Sequence, residues 1–244
     1  EDMRNNMYPM AVDNWKDYVF VVRYNNSQVT EIKDLLGSKW SQSNHFNDMC
    51  PLYDGVNRSV VGCGPIAAGQ IMRYHKKPQH LAWNNMPLTY ATTTTASFLY
   101  ELGTKAKATY GSQTGTTEPN IKSAIESYGY KCKLDNYNRN TAQQNIKNKR
   151  PVFMSGYDGK SGHAWVVSGI YNSTSEDVTI IYHPVSNVAM FPAITHRDNT
   201  AYIYANYCNW GWGGSYDGYY GMDRYTPNGY NFSSNQKMIY DIYY

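Results

Sequence analysis

The chain has 244 residues, 41% of them hydrophobic and 17% charged, with a formal net charge of +3. That hydrophobic content can build a sizeable core, which excludes a disordered tail or a disulfide-stapled miniprotein. No apolar run reaches the roughly 18 residues of a membrane span, and the small, dispersed charge excludes a nucleic-acid footprint.

The first expected element is a strand over 17–24 (DYVFVVRY). From Gln28 to Cys50 the chain is polar and punctuated. A helix should open after Gly62, with Pro65 in its first turn, where the missing N–H costs nothing. Ile66, Ala67, Gln70, Ile71 and Tyr74 fall near one face of it, and it should stop by Lys77-Pro78. The Thr92–Thr95 run reads as a solvated loop leading into a second helix, from about Ala96 to Tyr110. Phe98, Leu99, Leu102 and Ala106 form its apolar stripe. In a third helix Ile121, Ala124, Ile125 and Tyr128 lie at i, i+3, i+4 and i+7, closed by Gly129. A short fourth helix would take Thr141 as N-cap and carry Ile146.

Past Pro151 the texture changes to strands. The stretches 151–157, 163–171, 178–184, 201–207, 217–222 and 236–244 are β-branched and aromatic, with glycine-rich turns between them. Helices first and strands later define an α+β chain rather than alternating βαβ units. Neither an internal repeat nor a low-complexity tract is present.

Cys50, Cys63, Cys132 and Cys208 lie far apart with no CxxC spacing, so neither a zinc cage nor a thioredoxin-like motif is indicated. An even count permits two disulfides, and the three pairings stay open. Tyrosine contributes 25 residues against 6 phenylalanines, and charges fall below the usual quarter. This neutral polar bias suits a protein working outside the cell. Nothing at Glu1 reads as a signal peptide, so secretion implies one already removed.

Four segments can carry chemistry. In Gly62-Cys63-Gly64-Pro65 a thiol stands at a helix N-terminus, whose partial positive charge favours the nucleophilic thiolate. The bland alternative is a small buried apolar residue. A thiolate needs a base. His163 follows a glycine-rich loop and enters a strand, which would present it rigidly yet accessibly. His75 and His80 flank a helix stop and read as solvated C-terminal charge. His45, His183 and His196 read as surface or core residues. In Asn209-Trp210-Gly211-Trp212-Gly213-Gly214 the Asn carbonyl can accept an imidazole N–H, and an indole can shield that bond. The same tryptophans also fit a turn with core filler, or a sugar platform. Gln42, in Trp40-Ser41-Gln42, offers an amide that could stabilise an oxyanion beside a backbone N–H.

Together, 40–51, 62–78, 162–171, 209–214 and 217–223 resemble the streptopain family of papain-like cysteine peptidases, in the order Gln42, Cys63, His163, Asn209-Trp210. The resemblance implies a helical half to about 150 and a strand-rich antiparallel half over 151–244, with the active-site cleft between them. Residues 34–244 would form the peptidase domain, and 1–33 an N-terminal extension or propeptide remnant. It also implies Cys63 as nucleophile, His163 as general base and Gln42 as oxyanion-hole amide, with Asn209 and Trp210 orienting and shielding His163. No metal or organic cofactor is required. Protein or peptide substrates, an apolar substrate side chain next to P1, an inhibitory propeptide, a monomeric state and secretion from a bacterium complete the expectation, with no nucleic-acid or membrane partner.

Two departures stand out. Gly64-Pro65-Ile66-Ala67-Ala68 replaces the family's Val-Ala-Thr-like run, and Asn57 is the alternative to Gln42 at the papain offset. Two rival functions use the same residues: a peptidoglycan amidase or endopeptidase with this triad, and a non-catalytic binding module on the same scaffold.

Overall fold

The computed structural model describes residues 7–10, 19–186, 189–221 and 223–244. The chain forms two compact units, one from the segment up to Thr30 together with Asn172–Tyr204, the other from Glu31–Tyr171 and Ala205–Tyr244. None of the helices among the described residues is long and apolar enough to cross a membrane.

In the first unit β1 (Met7–Met10) runs antiparallel to β2 (Val19–Ile32), with Met7 opposite Val22 and Met10 opposite Val19. The strand expected over 17–24 therefore falls within β2, except for Asp17 and Tyr18, which lie outside the described residues. The stretches expected as separate strands at 163–171 and 178–184 belong to a single strand, Gly162–Ser186. The polar residues between them read as a turn, yet Ser and Thr suit extended backbone. The Asn25 amide also donates to Ser175 (2.8 Å) and Asp177 (2.9 Å). Another long strand, Ala189–Asn209, absorbs the expected 201–207. The side chains of His183 and His196 lie outside the described residues.

The second unit opens with its helices. Helix α1 (Cys63–His75) starts at the residue after Gly62 and ends on Lys76 in the left-handed conformation. Gly62 has φ +96°, and a Cβ there would stand 3.0 Å from both the Thr114 side chain and its carbonyl, so only glycine fits. Helix α2 (Thr93–Lys105) begins earlier than its apolar stripe suggests. Thr92 is its N-cap, accepting from the Thr95 N–H, and Thr95 is fully buried, so 92–95 is a first turn and not a solvated loop. Helix α3 (Glu118–Ser127) buries Ile121, Ala124 and Ile125 as the spacing predicts. Helix α4 (Arg139–Lys147) takes Asn138 rather than Thr141 as N-cap, and Thr141 supplies the capped N–H instead.

The strands that position the site follow. Edge strand β3 (Lys131–Asn136) pairs with β8 (Ser234–Tyr243), which pairs with β4 (Val152–Tyr157), itself paired with β5 (Gly162–Ser186). Strand β6 (Ala189–Asn209) lies next to β5, and β7 (Gly218–Gly221) next to β6. The expected stretch 217–222 thus begins one residue later, at Gly218, and Met222 lies outside the described residues.

Side chains on β4 and β5 alternate between two cores, as strand geometry requires. Phe153, Ala164 and Val166 join Ile66, Ile71, Leu99 and Ile125 of the helices. Val152, Met154, Trp165 and Val167 face the other way, onto Ile146 of α4 and onto Trp210, Tyr225 and Phe232. Burial on both faces explains why these strands read as continuous apolar runs rather than alternating ones.

Candidate active site

Cys63 is the first residue of α1 and is partly buried against the helical core. Burial pushes its thiol up, with the Glu118 charge adding to the rise, while the N–H groups of Ala164, Gly64 and Cys63 itself donate towards sulfur and pull it down. The sequence predicts a thiolate favoured by the helix terminus. Burial of the thiol opposes that field. The contact with Ala164 also sets Cys63 beside the residue that follows His163.

His163 lies on β5 directly opposite Gly156 of β4. A Cβ at Gly156 would fall 2.1 Å from the Phe232 carbonyl, so the glycine lets the chain pass close behind the histidine. By strand parity His163 shares a face with Trp165. Its ring packs against Trp212 (centroids 4.7 Å), Phe232 (5.2 Å) and Trp210 (6.0 Å, 24° between planes). Nε2–H donates to the Trp210 carbonyl at 3.0 Å, which leaves the Nδ1 lone pair free to accept a proton. This apolar packing pushes the imidazole down to about 4 against its ordinary 6.5, the Trp210 bond opposing.

The side chain of Asn209 does not reach the imidazole. It is fully buried, its Oδ1 accepting from Gln70 Nε2 (2.9 Å) and the Gly211 N–H (3.1 Å), and its Nδ2 donating to the Ser38 carbonyl (2.7 Å). The Gly211 N–H belongs to the same peptide as the Trp210 carbonyl. Asn209 thus grips the peptide that grips His163, one link further away than the sequence suggests. Gly211 makes this turn with φ +68°, and a Cβ there would meet Ile66 of α1 at 2.8 Å.

Sequence reasoning missed the residues that hold this turn. Gln70, also on α1, accepts from Ser38 Oγ (2.7 Å) while donating to Asn209. Asp217 accepts from the Trp210 N–H (2.9 Å) and pairs with Lys39 (2.9 Å), with its carboxylate almost wholly buried. Burial pushes the Asp217 carboxyl up, the Trp210 and Lys39 bonds opposing. Apart from Asp217 and Trp210, seven positions apart, these partners are separated by 32 to 178 positions, and only the stray polar residue on an apolar helix face, Gln70, hinted at any of them.

Gln42 lies beside the same elements. Its carbonyl accepts from the Val61 N–H (2.9 Å), two residues before Cys63, while Ser41 bridges to Trp212 and the Gly213 N–H donates to the Trp40 carbonyl (3.0 Å). The alternative, Asn57, sits in an exposed loop with its amide on Asp54 (2.6 Å). Trp210 and Trp212 are packed around His163, which accounts for them without a sugar platform.

One histidine expectation is corrected. His75 is not solvated: its ring lies edge-on to Tyr74 (5.0 Å), and burial, with Arg150 nearby, pushes it down to about 4. His80 and His45 are exposed, His45 bonded to Asp48 (3.1 Å). All four cysteines are free.

A cysteine that opens α1 beside Ala164, the neighbouring strand-borne His163 and the Trp-rich turn that holds its ring are the residue set expected of a papain-like cysteine peptidase. The model of the Peptidase C10 family matches residues 40–82 and 79–220, and the chain belongs to that family. Streptopain of Streptococcus pyogenes is 21% identical over 257 residues, covering 81% of this chain and 57% of streptopain. The thiol protease/hemagglutinin PrtT of Porphyromonas gingivalis is 23% identical, covering 83% of this chain and 26% of PrtT. The chain thus spans little more than half of streptopain's length. Active interpain A cysteine protease of Prevotella intermedia superposes with TM-score 0.64 at 20% identity, covering 86% of this chain and 94% of interpain A. A prointerpain A fragment superposes with TM-score 0.62 at 19% identity, covering 88% and 73%. These structures share the papain-like fold.

Proposed function

We propose that this chain is a cysteine endopeptidase, secreted by a bacterium, that cleaves proteins or peptides through a thioester on Cys63. The observation that carries the reading is the His163 ring: Nε2–H is fixed on the Trp210 carbonyl, so Nδ1 serves as the base. His163 takes the thiol proton as sulfur attacks the scissile carbonyl carbon. The oxyanion settles against the Cys63 N–H and the Gln42 side chain. Protonated His163 gives its proton to the departing amine, and neutral His163 then activates the water that releases the acid. Trp210 and Trp212 exclude solvent from the imidazole, and Asn209 keeps the Trp210 carbonyl in place.

Residues 34–244 are read as the peptidase domain and 1–33 as an N-terminal extension. The likeness to a prointerpain A fragment supports a latent precursor with an inhibitory propeptide. Secretion is supported by the low charge content. The test is hydrolysis of casein beside purified cell-wall peptides, with Cys63→Ala as blank. Casein cleavage lost in the variant supports the endopeptidase. Cleavage of cell-wall peptides alone favours the amidase, and no Cys63-dependent cleavage favours the binding module.

A further inference from the structure

One charged side chain beside Cys63 has no role in this chemistry. Glu118 opens α3, and its neighbours in sequence anchor it next to the nucleophile's helix. A Cβ on Gly64 would touch Ile121 at 3.0 Å and Thr116 at 3.2 Å, so 116–121 packs directly on the residue after Cys63. The Ser155 hydroxyl donates to Glu118 Oε1 at 2.7 Å. Ser155 pairs with Ala164 across β4 and β5, and by parity both face the helices, the side on which the Ala164 N–H meets the Cys63 sulfur. Nucleophile, Ala164, Ser155 and Glu118 therefore form one contiguous patch. Glu118 is half-buried, and among the described residues no Lys, Arg or His pairs with it.

We infer that Glu118, with Ser155, forms a subsite that selects a cationic substrate side chain close to the scissile bond. The inference rests on the peptidase reading above and adds a cationic preference to the apolar one that the family resemblance implies next to P1. A half-buried carboxylate is costly without a counter-charge, and a guanidinium or ammonium supplies one with its hydrogen bonds. Ser155 occupies one oxygen, leaving Oε2 for the ligand. An apolar side chain at this place would desolvate the carboxylate and return nothing.

The test uses fluorogenic peptides identical except for Arg or Leu at one position, scanned from three residues before the scissile bond to two after. The wild-type chain should prefer Arg in kcat/KM by about tenfold or more at one position. Glu118→Gln, which keeps the Ser155 bond and drops the charge, should bring that ratio to about twofold or less. Leu equal to or better than Arg at every position, with Cys63-dependent cleavage intact, overturns the subsite, as does an Arg preference that persists in Glu118→Gln. The wild-type ratio alone decides the matter if that variant does not fold. If no peptide is cleaved above the Cys63→Ala blank, the peptidase reading itself falls.

Discussion

Gln70 Nε2 donates to Asn209 Oδ1 at 2.9 Å, and this bond ties α1, which Cys63 opens, to the turn that holds His163. Gln70 lies two turns along α1 from Cys63, and Asn209 passes the constraint through the Gly211 N–H to the peptide whose carbonyl holds His163. A buried amide pair thus connects the element that carries Cys63 to the peptide that holds His163.

Gln70→Leu should leave Asn209 and Ser38 short of partners in the core. A loss of about 1–3 kcal/mol in unfolding free energy is expected, the usual cost of an orphaned buried polar group. Urea titration measures it, and kcat should fall more than KM rises because the base, not the substrate contact, is loosened.

Asp217 and Lys39 form the second brace, through the Trp210 N–H. Asp217→Ala strands a buried N–H and removes the partner of Lys39, with an expected cost of about 3 kcal/mol or more. Asp217→Asn retains an acceptor for Trp210 and should lose visibly less. Equal losses would mean that the ion pair, rather than the hydrogen bond to Trp210, does the bracing.

The imidazole of His163, pushed down to about 4 by burial, sets the acid limit of activity. Below that value the ring is protonated and cannot accept the thiol proton. The acid limb of kcat/KM should fall near pH 4 rather than near 6.5. A limb at 6.5 in the pH profile would show a solvated imidazole and contradict the packing described.

The same shift has a stability consequence, shared with His75. Both rings are held neutral in the folded chain and protonate readily in the unfolded one. Their contribution is therefore complete above pH 6.5 and is lost as pH falls towards 4. Each ring adds a slope of at most about 1.4 kcal/mol per pH unit in that window. Removing His75 by His75→Gln should flatten the pH dependence of the urea midpoint between pH 6.5 and 4.

Much of this was legible in the sequence, for identifiable reasons. Helix α3 shows its stripe at i, i+3, i+4 and i+7 because one face alone is buried, and β4 and β5 show apolar runs because both faces are. Gly62 announced itself before Cys63 because its φ admits no side chain. Strand β3 escaped notice because KCKLDN sits at a sheet edge with mostly exposed side chains. The start of α2 was misplaced because threonines in a first turn look like a loop. The hold on His163 was hidden for a deeper reason: a backbone carbonyl has no signature in the residue that carries it. Asn209 was noticed for its side chain, and only the folded turn reveals that it works one peptide away.

The most direct test is mass spectrometry of the whole chain after reaction with an epoxysuccinyl peptide under mild reductant, followed by mapping of the adduct. One adduct per chain on Cys63 is predicted, because in the proposed mechanism His163 takes the Cys63 proton as sulfur attacks, whereas the thiols of Cys50, Cys132 and Cys208 are pushed up by burial and have no assigned base. The reaction should slow severely in His163→Ala. Labelling spread over several cysteines, or an undiminished Cys63 rate without His163, would contradict the pairing of this thiol with this imidazole.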